Sequence, residues 1–221
     1  MDRLPHLDER EIEIILGSVT LSGTLSLPQG ATGLVMFVHG SGSSRFSSRN
    51  RYVARTIRSA NLATLLFDLL SPEEEKIDQI TAELRFDIGL LTERVIGVTS
   101  WLRQDNDTKT LTVGYFGAST GAAAALAAAA ELPDIGAVVS RGGRPDLALG
   151  VLPRVTAPTL LIVGGNDGQV IEMNRRAFLQ LHSVKEMKIV PGASHLFEEP
   201  GTLEEVARLA AEWFRQYLTA E

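Results

Sequence analysis

Ser119 lies in a segment of the chain whose composition suits a nucleophile. Glycines stand two residues before it and two residues after it, in Gly117-Ala118-Ser119-Thr120-Gly121. In a strand-turn-helix with the G-x-S-x-G pattern, a sharp turn holds the serine hydroxyl away from the backbone, and the flanking residues must be small. An apolar run precedes the motif and an alanine-rich run follows it, as this arrangement requires. The pattern alone also fits a glycine-containing turn with an inert serine, so other residues have to distinguish the two.

A nucleophilic serine needs a base, because the pKa of its hydroxyl is too high for attack at neutral pH without one. The chain has four histidines. His6 stands close to the N-terminus, His39 precedes a glycine-bearing loop where a structural role is expected, and His182 ends a helical stretch. His195 follows the last predicted strand, where a loop can hold an imidazole over the end of a sheet. We therefore expect His195 to be the base.

Two aspartates compete for the role of the acid that orients His195. Asp167 follows a buried strand in the glycine-rich sequence Gly164-Gly165-Asn166-Asp167-Gly168. Asp146 follows the preceding strand, beside two arginines that give it a plainer role as an ion-pair partner. We favour Asp167 and keep Asp146 as the alternative. The catalytic residues then occur in the order Ser119, Asp167, His195.

Acyl transfer also requires two hydrogen-bond donors for the oxyanion of the tetrahedral intermediate. The Thr120 N–H directly follows the nucleophile at the start of a helix. The second donor is expected from His39-Gly40-Ser41-Gly42, where glycines let the backbone approach a substrate, and we favour the Ser41 N–H. Alternatively, His39-Gly40 is only a tight turn.

The composition excludes several other kinds of site. There is no cysteine, which rules out disulfides, thiolate metal sites and a cysteine nucleophile. The acidic run Glu73–Glu75 has no histidine near it, so we expect a solvated loop or helix edge rather than a metal site, and neither a metal nor another cofactor is expected. A net charge of −6 argues against a nucleic-acid partner. No apolar segment could span a bilayer and no apolar signal region opens the chain, so we expect a cytoplasmic protein with no membrane partner.

Arginines are concentrated where acidic residues are missing. Residues 14–67 contain no aspartate or glutamate but five arginines: Arg45, Arg49, Arg51, Arg55 and Arg58. Arg45 and Arg49 follow the expected oxyanion loop, while Arg141 and Arg144 follow the strand after the one that carries Ser119. Since guanidinium groups pair with carboxylate or phosphate, all four are candidate contacts for an anionic substrate. The alternative is that Arg141 pairs with an acid such as Asp146 to brace its loop.

Hydrophobic periodicity predicts a sheet that is parallel over most of its width. Residues 11–27 alternate as an antiparallel hairpin with a turn near Gly17-Ser18, whereas later strands are continuous apolar runs typical of burial on both faces. Those strands are expected at 33–38, 63–67, before Ser119, and at 136–140, 158–163 and 187–190; helices are expected at 48–59, from 84 to 102, at 122–130, and after a capping box at 202–205. The result is an α/β fold with helices on both faces and an antiparallel N-terminal start. Ligands bind such sheets at the carboxyl ends of the strands. The loops that carry the candidate catalytic residues, after Val38, Phe116 and Val163, all lie at such ends.

Taken together, these motifs resemble those of the α/β-hydrolase superfamily, and within it the small, lidless dienelactone-hydrolase-like branch. The resemblance runs through the 39–42 loop, the 117–121 elbow, the 164–167 loop and His195, and covers nearly the whole chain. It implies an α/β-hydrolase fold and a Ser119, Asp167, His195 triad. A resemblance to dienelactone hydrolase itself would imply a cysteine nucleophile. Because this chain has Ser119 at that position, a general esterase or lactonase fits better. The connection from Ser140 to Pro158 is too short for a cap, and we expect a single domain over residues 1–221 with a shallow pocket.

The leading hypothesis is therefore a serine hydrolase that acts on a small carboxylic ester, lactone or thioester through an acyl-enzyme. One alternative is acyl transfer or perhydrolysis on the same acyl-enzyme. Another is a catalytically silent hydrolase fold used for binding. The expected partner is a small molecule, and the sequence predicts no particular oligomeric state.

Overall fold

A single β-sheet organises the computed structural model, which describes residues 7–219. His6 lies outside the described residues. Its strands are β1 Leu7–Leu16, β2 Val19–Pro28, β3 Gly33–Val38, β4 Ala63–Phe67, β5 Thr112–Ala118, β6 Ala137–Arg141, β7 Thr159–Gly164 and β8 Lys185–Val190. Their spatial order is β1-β2-β4-β3-β5-β6-β7-β8.

Strand pairing follows the two kinds of hydrophobic pattern in the sequence. β1 and β2 form an antiparallel hairpin, and β2 also pairs antiparallel with β4. All other neighbouring strands are parallel, and β3, β4, β6 and β7 are buried along their whole length. Continuous apolar runs suit these strands because helices cover both of their faces. The expected α/β class with an antiparallel start is confirmed.

Helices form a layer on each side of the sheet. The helices are α1 Ser48–Ser59, α2 Pro72–Thr81, α3 Ile88–Leu102, α4 Thr120–Glu131, α5 Gly168–Gln180 and α6 Thr202–Leu218, with short 3₁₀ turns at Leu84–Phe86, Pro145–Ala148 and Leu152–Arg154. One apolar core includes side chains of α3, α4 and α5, and the other includes side chains of α1 and α6. No helix in the described part of the chain is both long enough and apolar enough to cross a membrane.

Helix caps account for two differences from the sequence predictions and for one segment that the sequence left open between a loop and a helix edge. The acidic segment after Ser71 is the helix α2, because the Ser71 hydroxyl accepts the Glu74 N–H and the Glu74 carboxylate accepts the Ser71 N–H. Helix α3 begins at Ile88 rather than at Leu84, because Asp87 caps it. The capping box predicted at residues 202–205 was wrong, since Gly201 is the N-cap residue of α6 and carries no capping side chain.

The end of α6 packs on the edge of the sheet opposite the loops that carry the candidate catalytic residues. Leu218 packs directly on Gly33 and Gly136, at the amino ends of β3 and β6. A Cβ atom added at Gly33 would lie 2.7 Å from the Leu218 Cβ, and one added at Gly136 would lie 2.6 Å from its Cδ2. Small residues at these strand ends therefore allow the last turn of α6 to sit against the backbone of the sheet.

Candidate active site

Ser119 occupies the strained turn between β5 and α4. Its backbone has φ 49° and ψ −122°, outside the regions that non-glycine residues prefer. The turn is so tight that a Cβ atom at Gly117 would lie 2.5 Å from the Ala122 Cα, and one at Gly121 would overlap the Val38 carbonyl oxygen. Such strain costs about 1–3 kcal/mol and persists only where the surrounding structure enforces it. Here the buried start of α4 packs closely against the ends of β3 and β5, which fixes the turn.

His195 and Asp167 come together at the ends of neighbouring strands. His195 lies in the loop after β8 and Asp167 is the N-cap residue of α5, directly after β7. The His195 Nδ1 lies 2.7 Å from the Asp167 Oδ2. Because a carboxylate accepts hydrogen bonds, this contact places the ring proton on Nδ1 and leaves Nε2 with a lone pair. The alternative acid is engaged elsewhere: Asp146 accepts two hydrogen bonds, of 2.8 and 2.7 Å, from Arg144.

Ser119 and His195 line the same cavity. It has a volume of about 210 Å³ and lies at the carboxyl ends of β3, β5 and β6. Its other walls come from the oxyanion loop, the start of α1 and the end of β6. Among the lining residues are Ser41, Arg49, Asn50, Arg141 and Leu196. Two of these, Asn50 and Leu196, were not candidates in the sequence. The sequence offered one signal for Asn50: asparagine favours caps and turns, yet here it stands in the first turn of an arginine-rich helix. In the structure Asn50 is buried at that position.

The two expected oxyanion donors differ in their surroundings. Thr120 is the first residue of α4, so its N–H has no carbonyl of its own helix to bind. The Ser41 N–H donates to the Thr120 hydroxyl at 2.9 Å. This bond fastens the oxyanion loop to the elbow, and it means that the Ser41 N–H is already engaged. It can serve an oxyanion only by sharing this bond or by exchanging the hydroxyl for the substrate.

His39 braces the same loop without lining the Ser119 cavity. Its Nδ1 donates to the Gly40 carbonyl at 3.0 Å, and its Nε2 accepts the Leu69 N–H at 3.1 Å. Burial lowers the pKa of His39, although the Gly40 carbonyl acts in the opposite direction. The ring is therefore neutral at physiological pH and ties the end of β3 to the segment after β4.

Arg141 is a buried cation in the wall of the cavity. It is 7% exposed, and its guanidinium makes one polar contact with the described residues, from Nη2 to the Asn50 Oδ1 at 3.3 Å. No carboxylate of residues 7–219 forms an ion pair with it. Burial, followed by the nearby charge of Arg49, lowers the pKa of Arg141 to about 10. The group is still protonated at neutral pH, and the suggested pairing with Asp146 is wrong because Arg144 takes that carboxylate.

The other three arginine candidates have acidic partners. Arg49 lines the cavity and donates to the exposed Glu198 at 3.1 Å. Arg45 is held outside the cavity by Asp68 and Glu11. Arg144 is held outside it by Asp146, as described above. The expectation that all four face the pocket was therefore wrong for Arg45 and Arg144, because carboxylates on neighbouring segments hold them elsewhere.

Comparisons with known proteins agree with this geometry. Residues 51–219 match the family described as "Dienelactone hydrolase family". The crystal structure of a dienelactone hydrolase from Anabaena variabilis is 60% identical, with a TM-score of 0.95 over 96% of this chain and 99% of that one. Est1E from Butyrivibrio proteoclasticus is 16% identical, with a TM-score of 0.79 over 93% of this chain and 98% of its own, and it shares the fold.

Curated relatives from Mycobacterium tuberculosis are longer. Two proteins, each named "Putative phosphoribosyl transferase", are 55% identical over 97% of this chain and 48% of their own length. The chain thus spans about half the length of the curated relatives it matches. On the match of its residues 51–219 and its likeness to the Anabaena enzyme, the chain belongs to the dienelactone hydrolase family.

Proposed function

We propose that this protein is a serine hydrolase that cleaves a small carboxylic ester, lactone or thioester through an acyl-enzyme on Ser119. The observation that carries the proposal is the 2.7 Å contact between His195 Nδ1 and Asp167, with His195 and Ser119 lining one cavity. Family membership supports a hydrolase. The absence of cysteine from the sequence leaves Ser119 as the elbow nucleophile.

The proposed reaction has two halves. His195 Nε2 takes the Ser119 proton as Oγ attacks the carbonyl carbon, and the Thr120 N–H stabilises the oxyanion. The intermediate collapses when the protonated imidazole gives its proton to the leaving alcohol or thiol, which leaves an acyl group on Ser119. Water then attacks the acyl carbon with His195 again as the base, and collapse of the second intermediate releases the acid and restores the serine. Asp167 keeps the imidazole in the tautomer that this sequence of steps needs.

A fluorophosphonate probe tests the nucleophile. We expect one adduct by intact mass, mapped to Ser119, and loss of labelling in Ser119→Ala and in His195→Ala. Ester turnover should fall by up to about 10⁶-fold in both variants, because the members of a triad act as a unit. Ser43→Ala is the matched control, since Ser43 lines the same cavity without lying on the elbow.

The outcomes separate the alternatives. Turnover that survives in Ser119→Ala, or an adduct on another residue, contradicts the assignment. A protein that neither labels nor turns over esters is a binding protein with a hydrolase fold. Transfer of the acyl group to added alcohol or peroxide in preference to water identifies an acyltransferase or perhydrolase on the same residues.

We further propose that the substrate carries an acidic group beside its scissile bond. Arg141 supports this proposal, because a buried cation without a counter-ion is costly unless something pairs with it. Its guanidinium lies in the wall of the cavity that contains Ser119, with Arg49 beside it. A carboxylate or phosphate of the substrate would bind these guanidinium groups through bidentate hydrogen bonds.

Matched neutral and carboxylate-bearing esters test the charge preference. We expect a higher kcat/KM for the anionic ester, and a decline in that preference of about 10–100-fold in Arg141→Met, the value of a charge-assisted hydrogen bond. Arg144→Met is the control, because Arg144 lies outside the cavity. Raising the salt concentration should weaken the preference, and so should raising the pH through about 10, where Arg141 loses its proton. Equal handling of both esters by the unmodified protein would mean a neutral substrate.

A further inference from the structure

The β1–β2 hairpin has a polar face that lies away from the α3 side of the sheet. Glu9 and Glu11 are on this face of β1, and they stand opposite Ser26 and Thr24 of β2. The Ser26 hydroxyl donates to Glu9 at 2.9 Å and the Thr24 hydroxyl donates to Glu11 at 2.7 Å. Alternation in a strand places apolar residues on the opposite face, where Ile14 is buried in the core with α3.

Arginines of helix α1 line a cleft together with this polar face. Arg51, Arg55 and Arg58 are spaced by four and three residues, so they share one side of the helix, while Val53 and Ile57 are buried on another. Together with Arg45 they form, with the hairpin, a cleft of about 230 Å³. We call this space the arginine cleft; its charged lining residues are Glu9, Glu11, Arg45, Arg51, Arg55 and Arg58.

The positive charge of the arginine cleft exceeds its negative charge. Glu9 lies 3.8 Å from Arg58, and Glu11 lies 3.4 Å from Arg45, which also binds Asp68. Within residues 7–219 neither Arg51 nor Arg55 forms an ion pair. Two guanidinium groups are therefore left over, in a protein whose net charge is −6.

Burial and crowding add to the cost of this arrangement. Arg58 has 16% of its side chain exposed, and it donates to the Thr64 hydroxyl at 3.2 Å. Burial lowers the pKa of Arg58; Glu9 opposes this, while the charges of Arg55 and Arg51 lower it further. Cations gathered at this density repel one another, and an anion bound among them would relieve the repulsion.

We propose that the arginine cleft binds a small phosphate-bearing molecule at a site separate from the Ser119 cavity. Side chains four residues apart on a helix have Cβ atoms about 5–6 Å apart, so Arg51 and Arg55 can grip one phosphate or span two linked ones. Arginine forms bidentate hydrogen bonds with phosphate oxygens. The cleft is of small-molecule size and is closed along one side by the hairpin, which favours a compact ligand over an extended polymer. This proposal does not depend on the chemistry assigned to Ser119.

Inorganic pyrophosphate is the probe, and calorimetric titration of the whole protein at low salt is the measurement. We expect binding that weakens as salt is raised, and a loss of affinity of at least about tenfold in the double variant Arg51→Gln/Arg55→Gln. Both arginines are exposed, so this variant should fold, and an unchanged thermal unfolding temperature would show that it does. Arg215→Gln, which changes an exposed arginine of α6, should bind as the parent does. Arg141→Gln should keep the binding event that the double variant loses, whatever it removes in the Ser119 cavity.

Several results would overturn the proposal. They are no heat of binding at low salt, the same affinity in the double variant as in the parent, or a loss in Arg215→Gln as large as in the double variant, which would indicate non-specific attraction. A loss confined to Arg141→Gln would move the phosphate to the Ser119 cavity.

Discussion

At the scale of single residues, the chemistry depends on which carboxylate faces His195. We predict that Asp167→Asn lowers kcat/KM by about 10⁴-fold, because an amide can hold the imidazole in the wrong tautomer. Asp146→Asn should cost far less, since its carboxylate binds Arg144 instead of the histidine. Steady-state kinetics on a neutral ester measures both changes. A larger loss for Asp146→Asn than for Asp167→Asn would reverse our assignment of the acid.

The candidate catalytic residues could be proposed from sequence because each one follows a recognisable strand in a glycine-bearing loop. The contacts that engage the neighbouring donors and cations could not be predicted from sequence. The bond from the Ser41 N–H to the Thr120 hydroxyl joins residues 79 apart in the chain, and the contact of Arg141 with Asn50 joins residues 91 apart. Whether an arginine has a counter-ion depends on which carboxylates the fold brings near it, and a linear pattern holds no record of that.

At the scale of elements, the elbow between β5 and α4 has no room for added atoms. We predict that Gly121→Ala lowers both stability and esterase activity, because the new Cβ would overlap the carbonyl oxygens of Val38 and His39. Relief requires α4 or the oxyanion loop to move, at a cost of roughly 1–3 kcal/mol or more. Gly168→Ala is the control, since a Cβ at the start of α5 meets nothing within 4 Å. Thermal unfolding and kcat, measured on both variants, should change only for Gly121→Ala.

Element bounds were predictable where a local signal sets them. The predicted bounds of α1, β3 and β4 agree with the structure, because a capping serine or a continuous apolar run defines each one. Helix α2 was also within reach, since Ser71-Pro72-Glu73-Glu74 is a capping-box sequence with proline at the first helical position. The start of β8 was not, because its residues 185–189 are exposed or half-buried and show no apolar run.

At the scale of the whole molecule, strand order was not predictable, because local patterns do not say where each crossover returns to the sheet. The observed sheet runs continuously from β1 to β8, with one apolar core on each face. We therefore predict a single cooperative unfolding transition, as expected of one domain without a cap. Calorimetric and van't Hoff enthalpies should agree, on the order of 150 kcal/mol near 60 °C. Two resolved transitions would contradict the single-domain prediction.

The packing of Leu218 on Gly33 and Gly136 determines which edge of the sheet faces a surface when the protein is tethered after α6. Those glycines mark the amino ends of parallel strands whose carboxyl ends carry the Ser119 cavity. A six-residue strand separates the two edges by about 20 Å. A tether joined after α6 would therefore leave from the far edge of the sheet and hold the cavity towards the solution. Protein immobilised on beads or an electrode in this way should retain the ester turnover proposed for Ser119, whereas random coupling through lysines would give mixed orientations.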